Sequence, residues 1–235
     1  MLIQSTVRLD FEAADDLQYR GEGNSALVVS LGRDVLRFFK HAPEDGQQSC
    51  EESFQRIQRH IHFVETVVRH VISPDFYSTP RIALLSRKQM KTIAKLIGDK
   101  RPSFRLSKGI QCADSACAQT AALLLPDYCC LPQHLRDFRT EGPIVCIEVK
   151  PKRGFLPKEA LLSHEFKVKS RVSRYCLSQF LKLQKGSIQR RSAYCPLDLF
   201  SGCPQRTQTA LRALIRDPQN NFRVFRDSHH VFGDS

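Results

Sequence analysis

An apolar run that ends in closely spaced lysines is the feature that most constrains how this chain can fold. Residues 144–149 are apolar or β-branched except for Glu148, a composition typical of a buried strand. Because side chains alternate along a strand, Glu148, Lys150 and Lys152 should project to one side. Pro151 has no amide hydrogen, so the strand should end or lie at a sheet edge there. Neighbouring ammonium groups repel each other, and the pattern therefore indicates either a solvated strand end or a site for an anionic ligand.

Positive charge is concentrated in the segment that begins at these lysines. The net charge is +12, and residues 150–191 contain twelve Lys or Arg against two Asp or Glu. Such a block predicts a polyanionic partner, which can be nucleic acid, an anionic membrane or a highly phosphorylated small molecule. Each phosphate monoester carries about −1.5 to −2 charges at neutral pH, so a ring with five of them suits the block as well as nucleic acid does. Charge alone leaves these alternatives open.

Length and composition favour a folded protein. With 235 residues and 41% apolar content, the chain can bury one large core or two small ones. No apolar run approaches eighteen residues, and the N-terminus has no apolar signal-peptide segment, so neither a membrane span nor export is expected. Nine cysteines at irregular spacing predict reduced intracellular thiols, and they form no zinc ligand set.

A glycine-bearing turn between strands is the second feature with functional meaning. Residues 1–16 are polar and are expected to be loosely ordered. The turn Tyr19–Asn24 precedes strands at 26–31 and 35–40. Kinases cover ATP phosphates with such a strand, glycine loop and strand, because glycine lets backbone N–H groups approach the anions. An ordinary hairpin turn is the alternative.

Two amphipathic helices are predicted next. Ser49 and Glu52 form a capping box that opens a helix of about seven turns, ending before Pro74. Its apolar residues recur at three- and four-residue steps, at Phe54, Ile57, Ile61, Val64, Val67, Val68 and Val71. The histidines at 60, 62 and 70 are expected on its solvated side rather than as metal ligands. A second helix should run from about Ser86 to Ile97, with Met90, Ile93, Ala94 and Ile97 facing inward.

The segments that follow contain further candidate contacts. Residues 99–118 read as a loop in which one of three cations meets a substrate, namely Arg101, Arg105 or Lys108. The apolar run 117–125 is interrupted at Pro126, which indicates either a hinge between two lobes or a surface turn. Beyond the lysine-rich string, the pattern predicts a long helix over 161–183, a short helix over 205–216 and a turn followed by a strand over 219–225.

Several of these strings resemble the inositol-pentakisphosphate 2-kinases. Residues 148–157 resemble that family's E-x-K-P-K signature with the G-F-L-P that follows it. Residues 21–24 resemble its G-E-G loop, and Y-C-P-L-D-L-F-S-G at 194–202 is a further match. The resemblance extends from Gly21 to about Phe225. It implies an ATP-dependent kinase that phosphorylates the 2-hydroxyl of inositol pentakisphosphate to give the hexakisphosphate, phytate.

The resemblance also implies roles for individual residues. ATP would be bound by Gly21, Glu22, Gly23, Asn24, Arg37, Leu125, Asp127, Glu148, Lys150 and Arg223. Ring phosphates would be bound by Lys152, Lys182 and Asn220. The residue types alone leave three alternatives open: Arg37 as an exposed strand cation, Asn220 as a turn former, and Asp198 as part of a rigid structural turn rather than a catalytic group.

The implied fold is α+β. It consists of a kinase-like N-lobe over 17–130, with an antiparallel sheet plus helices, and the beginning of a larger C-lobe over 131–235 that is cut short. The catalytic aspartates and Mg²⁺ ligands of the family come later in its sequence, so we identify no catalytic residue and expect the N-terminal portion of a longer enzyme. ATP and Mg²⁺ are the expected cofactors, inositol pentakisphosphate is the expected partner, and the expected state is a monomer in cytoplasm and nucleus.

Two other hypotheses come from different functional classes. The first is a basic nucleic-acid-binding module, against which the basic block is expected to lack interleaved exposed aromatic residues, glycine-rich recognition motifs and zinc-finger spacing. The second is a fragment that binds its ligand without catalytic activity.

Overall fold

The architecture comes from a computed structural model that describes residues 6–9, 11, 17–41, 50–106, 109–110 and 119–233. The chain divides into two compact units, the first ending at Asp127 and the second beginning at Tyr128. Two residues singled out above, the helix cap Ser49 and the candidate cation Lys108, lie outside the described residues.

The first unit is built on a mixed sheet. Its strands are β1 (Thr6–Arg8), β2 (Leu17–Glu22), β3 (Ala26–Leu31), β4 (Asp34–His41), β5 (Arg81–Ser86), β6 (Gly109–Ile110) and β7 (Gln119–Pro126). The strand order is β1-β5-β7-β4-β3-β2, with β6 paired to β4. β1 is parallel to β5, and the other described pairs are antiparallel. Together with the helices, this sheet confirms the predicted α+β fold with a kinase-like lobe.

Strand β1 lies within the stretch that was expected to be loosely ordered. Its central residue Val7 packs against the core, as do Leu9 and Phe11 further along. A polar segment can therefore be held in place by a few half-buried apolar side chains, because burial contributes roughly 25 cal/mol per Å² of apolar surface.

Helices cover both faces of the sheet. Helix α1 (Cys50–Phe63) continues through a π-helical segment (Val64–Val68) into the short α2 (Arg69–Val71). Helix α3 (Arg87–Gly98) begins at a capping box formed by Ser86 and Gln89, and it buries Met90, Ile93 and Ile97. Both predicted helices are therefore present.

The predicted apolar face of the first helix is wrong beyond Val64. Val67 and Val71 were expected to face inward, but they are 44% and 75% exposed. A π-helical turn contains more residues than an α-helical turn, so it rotates the following side chains away from the sheet. His60 was expected in solvent, yet its ring packs edge-to-face on Phe39 with the centroids 5.7 Å apart.

Side-chain alternation along β4 separates two apolar clusters. Leu36 and Phe38 belong to the cluster that includes α3. Phe39 packs against the cluster that contains Ile57 and Ile61 of α1. Since residues i and i+2 share a face of a strand, Arg37 lies on the same face as Phe39, toward α1.

The second unit combines a small sheet with helices. Strands β8 (Val145–Val149), β9 (Phe222–Arg226) and β10 (His229–Gly233) form an antiparallel sheet in the order β10-β9-β8. Helices α4 (Arg174–Gln184), α5 (Pro196–Leu199) and α6 (Pro204–Arg216) supply the rest of its core. The buried cluster consists of Tyr175, Tyr194, Ala210, Leu214 and Phe222. No helix in the described parts of either unit combines the length and the apolar character needed to cross a membrane.

Strand β8 is present where it was predicted, but its predicted burial is wrong. Val145 and Ile147 are each 59% exposed, and residues along the strand alternate between exposed and half-buried. β8 is the edge strand of a three-stranded sheet, and such a small sheet does not enclose both faces of its edge. The apolar composition therefore identified a strand without fixing its environment.

The long helix predicted over 161–183 is also wrong. The segment contains 3₁₀ turns at Glu159–Leu161 and His164–Ser170, and α4 starts only at Arg174. Serine hydroxyls cause the interruption, because they offer the backbone hydrogen bonds that compete with helix continuation. The hydroxyl of Ser170 donates to the Lys167 carbonyl, and the Ser173 hydroxyl accepts from the Cys176 amide as the N-cap of α4.

Candidate anion-binding site

The lysine-rich string leaves the sheet in a defined geometry. The Lys150 amide donates to the Asn221 carbonyl at 2.8 Å, which continues the β8–β9 pairing by one residue. The Lys150 ammonium lies 3.4 Å from a Glu148 carboxylate oxygen, and both side chains are about 40% exposed. An exposed pair of this kind contributes at most about 1 kcal/mol, so Lys150 remains able to bind an anion.

Lys152 does not follow the strand alternation that was expected of it. The strand ends at Val149, and Lys152 adopts a left-handed backbone conformation with φ of 60°. This conformation costs a residue with a Cβ about 1–3 kcal/mol, and it persists only where the surroundings hold it. The turn, rather than the alternation of a strand, brings the Lys152 side chain to a cavity in the second unit.

That cavity has a volume of about 300 Å³ and is lined by cations. The lining residues are Lys152, Arg153, Arg174, Tyr175, Ser178 and Lys182. Four of the six are basic and none is acidic. Small-molecule sites in proteins start at about this volume, and an assembly of like charges without a counter-charge suits an anion.

Electrostatics at Lys152 supports this interpretation. Partial removal from water lowers the pKa of the Lys152 ammonium, and the charges of Lys150 and Lys182 lower it further. The protein therefore holds three ammonium groups close together against their repulsion. An anionic ligand would relieve this repulsion and favour the protonated form.

Helix α4 forms one wall of the cavity with side chains that recur at every fourth residue. Arg174, Ser178 and Lys182 are four residues apart, so they lie along one face of the helix and all line the cavity. Arg174 is also the first residue of α4, where the helix dipole favours anions. Lys182 was predicted, but Arg174 and Ser178 were not assigned a role, although the spacing from Lys182 could have identified them.

A buried hydrogen-bond network lies next to the cavity. The Asn221 side-chain amide donates to the Tyr175 hydroxyl at 2.8 Å, and Asn221 is 1% exposed. The Gln179 amide donates to the Gln219 side-chain carbonyl at 3.1 Å, and the Ser192 amide donates to the Gln179 carbonyl oxygen at 3.0 Å. Burial also raises the pKa of Tyr175, so its hydroxyl stays protonated in this network.

The predicted substrate residue Asn220 lies in the turn before β9. Asn220 is exposed, while its neighbour Asn221 is buried and Gln219 has a φ of 45°. The segment therefore forms a turn, as the alternative interpretation of Asn220 required. An exposed side chain there also remains accessible to a ligand.

The glycine-bearing hairpin is held together by ion pairs within the first unit. The Glu22 carboxylate, with 1% side-chain exposure, pairs with the Lys40 ammonium and accepts two hydrogen bonds from Arg101 at 3.0 and 3.1 Å. Arg105 donates to the Asn24 side-chain carbonyl. Of the three loop cations proposed for substrate, Arg101 and Arg105 thus tie the loop to the hairpin. Because the Glu22 carboxylate is held in these ion pairs, Glu22 would have to contact a phosphate through its backbone N–H group.

Gly21 and Gly23 have different structural roles. Gly21 has a φ of 135° at a β-bulge between β2 and β3, a conformation that residues with a Cβ rarely adopt. The Gly23 amide closes the turn by donating to the Ala26 carbonyl at 2.8 Å. A Cβ at Gly23 would meet no heavy atom within 4 Å, so this side of the turn is sterically open to a ligand.

Two arginines assigned to ATP phosphates share an unusual property. The Nε atoms of Arg37 and Arg223 are buried and have no hydrogen-bond partner among the described residues. Burial lowers the pKa of Arg37, so Arg37 is not the exposed strand cation of the alternative interpretation. A buried guanidinium N–H without an acceptor is costly, and phosphate oxygens are well suited to supply one.

The expected hinge residue Asp127 is a structural residue of the first unit. It is 5% exposed, its amide donates to the Arg33 carbonyl at 2.8 Å, and its carboxylate pairs with Arg20 at 2.6 Å. The surface-turn alternative is therefore wrong for this residue. Leu125 is paired with Val35 in the β4–β7 ladder. An adenine contact from Asp127 would have to use its carbonyl oxygen, because the amide is already bonded.

Carboxylates do not assemble into a metal site in the described parts of the chain. Within them, no group of three or more His, Cys, Asp or Glu side chains is placed to hold a metal ion. Asp198 accepts hydrogen bonds from Arg206 at 2.6 and 2.8 Å and so links α5 to α6, which supports the structural interpretation of Asp198. The described residues do not fit a Mg²⁺ site, and we derive no step through one.

Comparison with known proteins gives a consistent result. A family model described as inositol-pentakisphosphate 2-kinase matches residues 19–235. The inositol-pentakisphosphate 2-kinase of Danio rerio is 35% identical over 232 residues, which cover 96% of this chain and 46% of the relative. The enzyme of that name from Arabidopsis thaliana is 32% identical over 256 residues, covering 97% of this chain and 55% of the relative. The chain thus spans about half the length of these curated relatives.

Proposed function

Because this chain belongs to the inositol-pentakisphosphate 2-kinase family, we propose that it forms the ligand-binding part of an ATP-dependent inositol phosphate kinase. The reaction is transfer of the ATP γ-phosphate to the 2-hydroxyl of inositol 1,3,4,5,6-pentakisphosphate, which gives inositol hexakisphosphate. The observation that carries this proposal is the cavity of the second unit, lined by four cations and no carboxylate.

The cavity cations bind the phosphorylated ring. Five phosphate monoesters carry roughly −7 to −10 charges at neutral pH, and Lys152 and Lys182 converge on the space where such a ligand would lie. Arg174 adds a planar guanidinium, which can hold two phosphate oxygens in a fixed geometry. Asn220 would contribute a neutral contact from its exposed turn.

ATP phosphates are bound by the arginines with unsatisfied Nε atoms. The Nε atoms of Arg37 and Arg223 are each buried donors without a hydrogen-bond partner among the described residues. Lys150 and the backbone of the glycine hairpin are each proposed as further ATP contacts. Mg²⁺ is the proposed divalent ion, and we assign none of the described residues to it.

The chemical contribution of these residues is positioning and charge neutralisation. Phosphoryl transfer requires few covalent steps from the protein, so holding the donor phosphate and the acceptor hydroxyl in line accounts for most of the catalysis. The described residues supply cations for both substrates, and we assign no general base among them. Whether these 235 residues turn over or only bind ligand is decided by a kinase assay on this chain.

A calorimetric titration tests the proposal. We expect saturable binding of inositol pentakisphosphate at physiological salt, weakened about ten- to a hundredfold by Lys152→Ala, because a charge-assisted contact contributes about 1.5–3 kcal/mol. Lys158→Ala is the matched control, since Lys158 is exposed and does not line the cavity. Equal affinities for the two variants would refute the assigned site. Tight RNA binding without inositol phosphate binding would instead support a nucleic-acid-binding module. The expectation that the basic block lacks exposed aromatic residues is wrong, because Phe155, Phe166 and Phe180 are exposed.

Two further properties remain part of the proposal. We propose that the protein is located in the cytoplasm and nucleus. We also propose a monomer, which sedimentation analysis at several concentrations would test.

A further inference from the structure

The turn that carries Lys152 is held at both ends by residues of the 194–202 string. The Tyr194 hydroxyl donates to the Pro151 carbonyl at 2.5 Å. At the other end, a Cβ on Gly154 would lie 1.9 Å from Cδ2 of Phe200, so the Phe200 ring packs directly on the glycine backbone. Neither Tyr194 nor Phe200 lines the cavity, and therefore neither acts by touching a ligand there.

The Pro151 carbonyl is the atom that controls the orientation of Lys152. It belongs to the same planar peptide group as the Lys152 nitrogen, so fixing the carbonyl direction fixes the plane from which φ of Lys152 is measured. The ring of Pro151 already restricts its own φ, and the Lys150 amide is bonded to the Asn221 carbonyl. The orientation of each peptide group from Lys150 to Lys152 is thus restricted, first by the bond of the Lys150 amide, then by the Pro151 ring and then by the bond to the Pro151 carbonyl.

Such a constraint is needed because Lys152 is in a disfavoured conformation. Its φ of 60° is uncommon for a residue with a Cβ. Without an external hydrogen bond the residue would relax toward negative φ, and its side chain would leave the cavity. The contact from Tyr194 acts directly on the peptide that must be held.

Tyr194 is well suited to act as a fixed donor. It is 1% exposed, and its ring packs edge-to-face on Tyr175 of α4 with the centroids 5.4 Å apart. Desolvation and the neighbouring Tyr175 raise the pKa of Tyr194 to about 12, so the hydroxyl keeps its proton throughout the physiological range. α5, which starts two residues later with Pro196, fixes the backbone after it.

We propose that Tyr194 is a positioning residue for Lys152: it acts through the Pro151 carbonyl to keep the lysine in the basic cavity, and Phe200 limits the turn at Gly154. The structural part of this inference needs no ligand. Its consequence for inositol phosphate affinity rests on the proposed function.

The structural part is tested by NMR of the ammonium groups in protein labelled with isotopes at lysine. In Tyr194→Phe, which removes only the hydroxyl, we expect Lys152 to move away from Lys150 and Lys182 and its pKa to rise toward the ordinary lysine value. Tyr77→Phe, which removes a tyrosine hydroxyl from the other unit, should leave the Lys152 signal unchanged. An unchanged Lys152 pKa in Tyr194→Phe would overturn the proposal.

The functional part is tested by a double-mutant cycle on inositol pentakisphosphate affinity. Tyr194→Phe should weaken binding about three- to tenfold, the range expected for one hydrogen bond, and should cause no further loss in the Lys152→Ala background. Equal losses in both backgrounds would show a general structural effect and would refute positioning. If Lys152→Ala alone leaves affinity unchanged, the proposed function fails, while the NMR result still decides the positioning of Lys152.

A second variant covers the case in which Tyr194→Phe does not fold. Gly154→Ala places a methyl group against the Phe200 ring, so the turn or Phe200 must shift and the contact that limits the turn changes, while Tyr194 stays intact. It should displace the Lys152 signal and weaken inositol phosphate binding only when Lys152 is present. A Gly154→Ala protein with the Lys152 signal and the affinity of the wild type would overturn the proposal.

Discussion

Replacing Glu22 with glutamine should destabilise the first unit far more than its position in a surface hairpin suggests. The carboxylate of Glu22 and the ammonium of Lys40 each have 1% side-chain exposure, and Arg101 has 11%. Glutamine keeps the shape of the side chain but removes the negative charge. The buried Lys40 and Arg101 side chains would then both lose the negative charge of Glu22.

The expected loss can be estimated from the burial of these groups. Removing one partner of a buried ion pair costs about 3–5 kcal/mol, and solvent screening reduces this little because the three side chains are almost completely buried. Two cations lose the charge of Glu22 in this case, so we expect the upper half of that range. The corresponding decrease in Tm is roughly 10 °C or more.

Urea denaturation followed by far-UV circular dichroism measures the loss, and the chain has no tryptophan to provide a fluorescence signal. Hydrogen exchange in β2 and β3 locates the effect in the hairpin. Glu51→Gln is the control, because Glu51 is exposed in the first turn of α1 and accepts one hydrogen bond from Gln55. We expect it to cost no more than about 1 kcal/mol. A Glu22→Gln protein as stable as this control would refute the structural role of the ion pairs.

The remaining predictions concern three charged residues. Since the pKa of Lys152 is lowered, its ammonium loses its proton at a lower pH than an ordinary lysine. Calorimetry should therefore show that inositol phosphate affinity falls as the pH rises through that pKa, and that Lys152→Arg resists this loss. Equal pH profiles for the wild type and Lys152→Arg would contradict the prediction. Asp127→Asn should lower the free energy of unfolding by about 3–5 kcal/mol, because the Asp127 and Arg20 side chains are only 4% and 12% exposed. Urea denaturation measures this loss, and a variant as stable as the wild type would disprove the prediction. Asp198→Asn should lower the free energy of unfolding by no more than about 1 kcal/mol, because its partner Arg206 is 55% exposed. We expect inositol phosphate affinity to stay unchanged, and a selective loss of affinity would restore a role for Asp198 in the site.

The elements that sequence predicted well are those specified by local interactions. Strand β3 was predicted with the observed bounds, because its apolar run is bordered by glycine-containing turns. Helix α3 was predicted from an apolar face with a regular spacing, and the capping box that the structure shows at Ser86 fixes its start. Where short-range signals agree with each other, the tertiary structure does not need to override them.

The elements that the sequence predicted poorly depend on tertiary contacts, or on side-chain hydrogen bonds that compete with backbone ones, and the apolar spacing shows neither. A π-helical segment after Phe63 rotates Val67 and Val71 outward, although their spacing continues the apolar face. Over 161–183, apolar periodicity predicted a helix, whereas hydrogen bonds of Ser170 and Ser173 interrupt the backbone. Side-chain hydrogen bonding within a segment is difficult to weigh against periodicity from sequence alone.

The candidate site likewise contains residues that the sequence identified and contacts that it could not reveal. The family strings identified Lys152 and Lys182, and the structure brings both to one cavity. The partners of Glu22 could not be predicted, because Arg101 lies 79 positions away in the sequence. The bond from Tyr194 to Pro151 joins residues 43 positions apart, so the string 194–202 could be recognised without its effect on the lysine turn being visible.

Chemical footprinting of lysines tests the central claim most directly. The chain is acetylated at low reagent concentration, with and without saturating inositol pentakisphosphate, and each site is quantified by mass spectrometry. The account predicts strong protection of Lys152 and Lys182 by the ligand, with Lys158 and Lys167 modified at unchanged rates. Protection spread evenly over the exposed lysines, or binding that leaves Lys152 and Lys182 fully reactive, would contradict it.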